Sequence, residues 1–284
     1  MKQITVISGK GGTGKTVLTA SFAALAHNAC FVDCDVDAAD LHLLLNPKVR
    51  ETHIFKSGKA PKINRATCTE CGECIDVCRF NAIDETFEID KFSCEGCAIC
   101  SIVCPSKAIT MEENHSGEWY VSDTKYGSFV HAKLGIAEEN SGKLVTRIRK
   151  AAQEIADKER LDFVINDGPP GIGCPVIASL SGVDLALIVT EPTIAGIHDM
   201  KRIADVAAQF SVPTKVVINK YDINPDNSSS IKDICCRRNI EVVAYLPFSE
   251  KFVESMVNGI PMPEYVDNGI TEQIRTLWRK VAIV

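Results

Sequence analysis

The chain has 284 residues, of which 45% are hydrophobic, enough for one large domain or two. Its 31 basic and 37 acidic residues give a net charge of −6, so no broad basic surface is indicated and no nucleic acid partner is expected. Strand-like residues begin at Gln3, and no apolar run approaches the length of a membrane span, which predicts a cytoplasmic protein.

The first predicted strand, Ile4 to Ile7, leads directly into a glycine-rich loop. Residues Gly9 to Thr16 fit the phosphate-binding pattern G-x-x-x-x-G-K-[ST], and an Ala- and Leu-rich helix is predicted over Val17 to Ala26. In such a loop the backbone N–H groups surround a phosphate at the positive end of the helix. Lys15 is expected to reach the β- and γ-phosphates and Thr16 to ligate Mg²⁺. The candidate cradle residues are Gly9, Gly11, Gly12, Thr13, Gly14, Lys15 and Thr16.

A second lysine, Lys10, stands one residue into this loop. The sequence K-G-G-x-G-K-T resembles the deviant Walker A motif of the MinD/ParA family of ATPases. The resemblance implies an ATP-dependent homodimer in which Lys10 acts as a catalytic residue on the partner's nucleotide. The alternative is that Lys10 only lies on the rim of the loop.

A second predicted strand, Ala29 to Val32, ends in two aspartates, Asp33 and Asp35. Ligands bind beyond the carboxyl ends of parallel strands, which is where these carboxylates would lie. The pair resembles switch I of the MinD/ParA family, which implies that Asp35 orients the attacking water and that Asp33 supports the metal. The alternative is a turn and cap leading into a helix over Ala38 to Leu45.

The thirteen cysteines are unevenly distributed, with eight of them between Cys68 and Cys104. In a reducing compartment, clustered cysteines indicate metal ligands or catalytic groups before disulfides. Residues 57–113 hold six basic and ten acidic side chains, and a linker is predicted to begin at Ser57. We therefore predict an inserted domain at 57–113 within a P-loop ATPase domain formed by 1–56 and 114–284.

Within the predicted insert, the run C-x2-C-x2-C-x3-C occurs twice, 26 residues apart. This is an internal duplication with the spacing of bacterial two-cluster ferredoxins, in which the fourth cysteine of each run ligates the other cluster. Zinc is the competing interpretation. Arg79 follows Cys78 where the ferredoxin pattern has proline. One [4Fe-4S] cluster is assigned to Cys68, Cys71, Cys74 and Cys104, and the other to Cys94, Cys97, Cys100 and Cys78.

After the insert, alternating elements return to the main domain. Short strands are predicted over Trp119 to Ser122 and Ser128 to Ala132, and a helix over Leu144 to Lys158. A buried strand, Leu161 to Ile165, then leads to Asp167, a Walker B acid expected to hold Mg²⁺. Cys174 lies at a place similar to that of a cluster cysteine in the nitrogenase iron protein, but packing is the favoured role.

Further apolar strands are predicted over Leu185 to Val189, Lys215 to Ile218 and Val242 to Leu246, with a helix over Ile197 to Phe210. Buried strands alternating with helices predict an α/β fold with a mainly parallel, doubly wound sheet that carries a small α+β ferredoxin-like domain.

The sequence N-K-Y-D at 219–222 matches the guanine-reading motif of GTPases. In the MinD/ParA ATPases an asparagine at this strand end contacts adenine, so the resemblance favours ATP and assigns Asn219 to the base. Asp222 is the residue that would favour GTP.

The last predicted helix, Ile270 to Val284, has one apolar face. Members of the resembled family that sit on membranes use such a helix, but packing against the sheet is favoured over lipid contact.

Together, the cysteine pattern and the resemblance to MinD/ParA ATPases imply a dimeric ATPase switch that controls two [4Fe-4S] clusters, for electron transfer or for cluster delivery to a client protein. The alternatives are a MinD-like spatial organiser with structural or redox-sensing clusters, and a plain ferredoxin attached to a degenerate ATPase. Retention of Lys15, Thr16, Asp35 and Asp167 speaks against the last.

Overall fold

The computed structural model describes residues 1–135 and 140–283, which divide into two compact units. The first unit contains Met1–His53, Trp119–Leu134 and the chain from Ser141 onward. The second contains Ile54–Glu118 with Gly135 and Asn140. The predicted insert at 57–113 lies inside the second unit, which extends beyond it at both ends.

Strands and helices alternate through most of the described chain. The strands are β1 (Lys2–Ser8), β2 (Ala29–Asp33), β3 (Lys48–Ile63), β4 (Ile109–Thr124), β5 (Gly127–Leu134), β6 (Phe163–Pro170), β7 (Leu185–Thr190), β8 (Thr214–Asn219) and β9 (Glu241–Leu246). The helices are α1 (Lys15–Leu25), α2 (Leu41–Leu45), α3 (Glu73–Asp76), α4 (Ile99–Val103), α5 (Ser141–Glu159), α6 (Cys174–Leu180), α7 (Ile194–Gln209), α8 (Pro225–Arg237), α9 (Glu250–Val257), α10 (Met262–Tyr265) and α11 (Gly269–Ala282).

The central sheet has the strand order β3-β4-β5-β2-β6-β1-β7-β8-β9. Every neighbouring pair from β5 to β9 in this order is parallel. Apolar clusters cover both faces, one including α1 and α11 and the other α6, α7 and α8. Strands buried on both faces explain the continuous apolar runs in the sequence. The predicted α/β fold with a mainly parallel sheet is therefore confirmed.

The predicted linker at Ser57 is wrong, because β3 continues through this region to Ile63. Pro61 is tolerated there since β3 lies at the edge of the sheet, where a missing N–H costs no ladder bond. The predicted strand at 119–122 is likewise only the end of the longer strand β4. Strands that bury few side chains show weak hydrophobic alternation, so the full lengths of β3 and β4 could not be predicted from the sequence.

The C-terminal helix packs into the core, as expected. Ile274, Leu277 and Val281 are buried, and the Trp278 ring lies 5.2 Å from Phe22, centroid to centroid. Val284, the predicted last residue of this helix, lies outside the described residues. Among the described helices, none combines the length and apolarity needed to cross a bilayer.

The second unit repeats its backbone geometry with the 26-residue period of the sequence. Left-handed backbone conformations recur at equivalent positions, as in Gly72 and Ala98, with φ of 83° and 65°. The short helices α3 and α4 begin directly after these two residues. The duplication in the sequence is therefore also a duplication of local structure.

Candidate functional sites

The glycine-rich loop joins the end of β1 to the first turn of α1, as the motif predicts. Gly12 and Gly14 adopt φ of 77° and 92°, which side chains disfavour. A Cβ on Gly14 would lie 2.6 Å from the amide nitrogen of Asn219, and one on Gly9 would lie 2.1 Å from Asp199 Cβ. Gly9 is thus required by close approach, Gly12 by its backbone conformation and Gly14 by both.

Side chains from the end of β8 hold the loop from outside. Asn219 Nδ2 donates to the Thr13 carbonyl at 2.8 Å, and Lys220 Nζ donates to the Gly12 carbonyl at 3.2 Å. Asn219, predicted to contact adenine, therefore braces the loop. The buried Thr13 hydroxyl has no hydrogen-bond partner among the described residues.

Lys15 is almost fully buried at the start of α1, between carboxylates from two other strand ends. Its Nζ lies 3.4 Å from Asp35 and 3.6 Å from Asp167. Although burial opposes its charge, the carboxylates of Asp167, Asp35 and Asp33 raise the pKa of Lys15 above its ordinary value. The cation is thereby fixed where a phosphate would need it.

Thr16 and Asp167 form a pair of oxygen donors beside Lys15. The Thr16 hydroxyl donates to Asp167 Oδ2 at 2.7 Å, and the Thr19 hydroxyl lies 3.0 Å from Asp167 Oδ1. Hydroxyl and carboxylate oxygens are the ligands that Mg²⁺ prefers. The donor set brought together here fits the predicted magnesium site.

The two aspartates after β2 point to different partners. Asp35 is half-buried and faces Lys15. Asp33 is fully buried, and its two oxygens accept hydrogen bonds from the backbone N–H groups of Asp35 and Leu41, both at 3.1 Å. Burial and the nearby Asp167 carboxylate raise the pKa of Asp33. These hydrogen bonds match the alternative interpretation, in which Asp33 stabilises a turn and the start of a helix, and not the predicted support of a metal ion.

Lys10 forms an ion pair with Glu191, a residue the sequence analysis did not single out. Glu191 also lies 3.2 Å from Lys220 Nζ. Despite its burial, the two lysines hold the pKa of Glu191 below its ordinary value. Its position immediately after β7, at the carboxyl edge of a parallel sheet, was the available signal.

An apolar cavity of about 160 Å³ opens beside the loop. Its lining combines the loop and α1 with residues from β9 and α9. Asp222 does not line it; this carboxylate accepts a hydrogen bond of 2.7 Å from the Phe248 N–H. The lining residues include Gly12, Gly14, Val17, Leu18, Asn219 and Phe252.

The eight clustered cysteines line two separate cavities of the second unit. Each cavity takes three cysteines from one run and the fourth from the other run. One is lined by Cys68, Cys71, Cys74 and Cys104. The other is lined by Cys78, Cys94, Cys97 and Cys100.

Backbone N–H groups point at the fourth cysteine of each run. Ala82 N lies 3.4 Å from Cys78 Sγ, and Ala108 N lies 3.3 Å from Cys104 Sγ. Within residues 1–135 and 140–283, no group of three or more His, Cys, Asp or Glu side chains is arranged to hold a single metal ion. Each set of four cysteines surrounds a cavity and does not converge on one point.

Cys174, expected to pack in the core, is exposed at the start of α6. The chain at Gly142 approaches it closely, since a Cβ on Gly142 would lie 3.2 Å from Cys174 Cβ. Of the other cysteines outside the insert, Cys30, Cys34 and Cys235 are buried, and burial raises the pKa of the Cys235 thiol to about 11.

A family model for the CobQ/CobB/MinD/ParA nucleotide binding domain matches residues 4–262. The chain belongs to this family. MinD and ParA members include ATPases, as the names of two solved relatives state. The match to a nucleotide binding domain agrees with the phosphate-binding loop described above.

Individual relatives extend the comparison of this MinD/ParA-family chain. An uncharacterized protein of Methanocaldococcus jannaschii is 32% identical over 282 residues, covering 98% of this chain and 96% of the relative. Subunit PorD of the pyruvate synthase of Methanothermobacter marburgensis is 44% identical over 52 residues, covering 18% of this chain and 64% of PorD.

Among solved structures, the septum site-determining protein MinD of Pyrococcus horikoshii, in complex with Mg-ADP, has the same fold. The TM-score is 0.60 at 18% identity, covering 99% of this chain and 95% of that one.

Proposed function

We propose that this chain is an ATPase whose nucleotide-dependent homodimerisation controls two [4Fe-4S] clusters held by its second unit. The clusters serve electron transfer or are delivered to a client protein that docks on the second unit. One observation carries the proposal: each set of four cysteines assigned from spacing lines one cavity, with the fourth residue exchanged between the two runs.

The chemistry of each cysteine set supports a cluster. A cubane offers a separate iron to each thiolate, so its four ligands surround a cavity rather than a single point. The N–H groups of Ala82 and Ala108 supply hydrogen bonds to sulfur, which tune cluster potential. When bound, each cluster takes up and releases single electrons. The 52-residue similarity to a pyruvate synthase subunit is consistent with a redox role.

In the nucleotide site, the loop N–H groups and Lys15 hold the β- and γ-phosphates, and Thr16 and Asp167 hold Mg²⁺. Asp35, close to Lys15 but still partly open to solvent, positions the attacking water. The apolar cavity receives the base, with Asn219 at its wall. We favour ATP over GTP because the Asp222 carboxylate is engaged by the Phe248 N–H instead of lining this cavity.

Coupling between the sites follows the chain. Asp35 is succeeded by α2 and then by β3, the strand through which the chain enters the second unit. A change at Asp35 between ATP and ADP would therefore be transmitted along the shortest covalent route to the cysteine-bearing unit. Order changes of switch loops on hydrolysis are the usual form of such coupling.

Anaerobic purification with counts of iron and acid-labile sulfide tests the cluster assignment. We expect about eight of each per chain, as two cubanes require. Cys74→Ser and Cys100→Ser, from different cavities, should each lose about half of the iron. Cys236→Ser, an exposed cysteine outside the insert, is the matched control and should lose none. Stoichiometric zinc without sulfide would refute the assignment.

Coupling is tested by measuring cluster reduction potentials with ATP and with ADP. We expect the two nucleotides to give different potentials, and Asp35→Ala to abolish the difference while the clusters remain bound. Potentials indifferent to the nucleotide would leave an ATPase and two clusters without a functional connection.

A MinD-like spatial organiser is the second candidate, favoured by the fold shared with MinD over nearly the whole chain. In that case the clusters are structural or sense oxidation, and the output is a protein or membrane contact. The packed face of α11 is unavailable for lipid in this fold. Sedimentation with anionic vesicles in the presence of ATP, unchanged in a cluster-free variant, would favour this candidate.

A further inference from the structure

Lys10, the residue that distinguishes this loop from an ordinary phosphate-binding loop, is already engaged within its own chain. Its ammonium group is paired with the Glu191 carboxylate, although the lysine side chain is still 37% exposed. Glu191 is 8% exposed and therefore has little access to water as an alternative partner. The pair fixes a long side chain that would otherwise be free to extend from the loop.

Strand order explains why Glu191 is placed there. Glu191 follows β7, which lies between β1 and β8 in the sheet. Lys10 follows β1 and Lys220 follows β8, so both lysines reach the same carboxylate from opposite sides. Carboxyl ends of adjacent parallel strands meet at one edge, which brings these three residues together.

We propose that Glu191 is a positioning residue that holds Lys10 in its own subunit until a second, ATP-loaded copy of the chain offers a triphosphate. The inference rests on the proposed function, because it assigns Lys10 its action on the partner's nucleotide. A triphosphate carries several negative charges against one on Glu191, so it competes for the ammonium group once it comes within reach. Glu191 thereby raises the dissociation constant of the ATP-dependent dimer.

Lys220 lowers the free-energy cost of separating Lys10 from Glu191. A buried carboxylate that loses its only cation is strongly destabilised. Here Glu191 keeps Lys220 at 3.2 Å after Lys10 leaves. Lys220 is itself anchored by the Gly12 carbonyl at 3.2 Å. The arrangement therefore has two stable states, with Glu191 paired to both lysines or to Lys220 alone.

The test measures dimerisation by analytical ultracentrifugation with a non-hydrolysable ATP analogue. Glu191→Gln should lower the dimer dissociation constant about two- to fivefold, the range expected for a partly exposed ion pair. Glu191→Asp, which keeps the charge, should restore the wild-type value at least in part. In a Lys10→Ala background, Glu191→Gln should have no effect, because the residue on which it acts is gone.

A second readout reports the contact in the monomer. Amine acetylation followed by mass spectrometry should modify Lys10 faster in Glu191→Gln than in wild type, with Lys232, an exposed lysine on α8, unchanged. If Glu191→Gln dimerises with the same dissociation constant as wild type, this inference alone is overturned. The same holds if the effect of Glu191→Gln persists in the Lys10→Ala background. A wild-type chain that stays monomeric with the ATP analogue overturns the proposed function, and this inference with it.

Discussion

The substitution Lys15→Met tests whether the carboxylates around the phosphate-binding loop form a cation site. Lys15 is 7% exposed and lies between Asp35 and Asp167, with the fully buried Asp33 behind them. Methionine keeps most of the aliphatic stem and removes the charge. The variant therefore leaves three neighbouring carboxylates without their central cation.

The expected loss in stability follows from the burial of these groups. Removing one partner of a buried ion pair costs about 3–5 kcal/mol, and the partial exposure of Asp35 points to the lower end, about 3 kcal/mol. Because the pKa of Lys15 is raised, its contribution is fully present below the ordinary lysine pKa and is lost only as the pH rises through the higher folded value. At pH 7.5 the whole contribution is present.

The loss should depend on pH and on divalent cations. Burial already raises the pKa values of Asp33 and Asp35, and without Lys15 they rise further, so the folded variant takes up protons as the pH falls. Its deficit relative to wild type should therefore shrink between pH 7.5 and pH 5. Mg²⁺ should stabilise the variant more than wild type, because it replaces the missing cation among the same oxygens.

Urea unfolding followed by tryptophan fluorescence provides the assay, since Trp278 packs on Phe22 in the core of this unit. With a slope of about 3 kcal/mol per molar, the midpoint should fall by about 1 M at pH 7.5. Lys232→Met, at an exposed position on α8, is the control and should shift it little. A deficit that is the same at both pH values and insensitive to Mg²⁺ would refute the reasoning.

Three further predictions concern single side chains. Asp35→Asn should retain ATP binding but lower phosphate release by about 100-fold, the size of a lost water-positioning base; equal losses in binding and turnover would contradict this role. Ser106→Ala, which removes a hydroxyl 3.5 Å from Cys104 Sγ, should lower the potential of only one of the two proposed clusters in an EPR-monitored titration. Burial lowers the pKa of His131 to about 4, so protonation of the unfolded chain should cost wild type about 2 kcal/mol between pH 7 and pH 5. In urea unfolding, the stability of His131→Phe should not show this loss between pH 7 and pH 5.

Local sequence determined much of the structure of the phosphate-binding loop and of the cysteine runs. The loop from Gly9 to Thr16 is defined by spacing along one strand–turn–helix unit, and Gly12 and Gly14 are needed there for their positive φ. The cysteine runs carry their own geometry, because two intervening residues set how closely three thiols can converge. The spacing shared with bacterial two-cluster ferredoxins also predicted which cysteine exchanges between the two sets, and the lining of the two cavities agrees with that pairing.

Only the tertiary structure decided which polar groups meet across the sheet. Glu191 contacts Lys10 and Lys220 because β7 lies between β1 and β8, an order that is not the order of the chain. The same placement turns Asn219 toward the loop carbonyl of Thr13. Hydrophobic periodicity fixes which residues are buried, but strand order fixes their polar neighbours, and that order results from packing the whole domain.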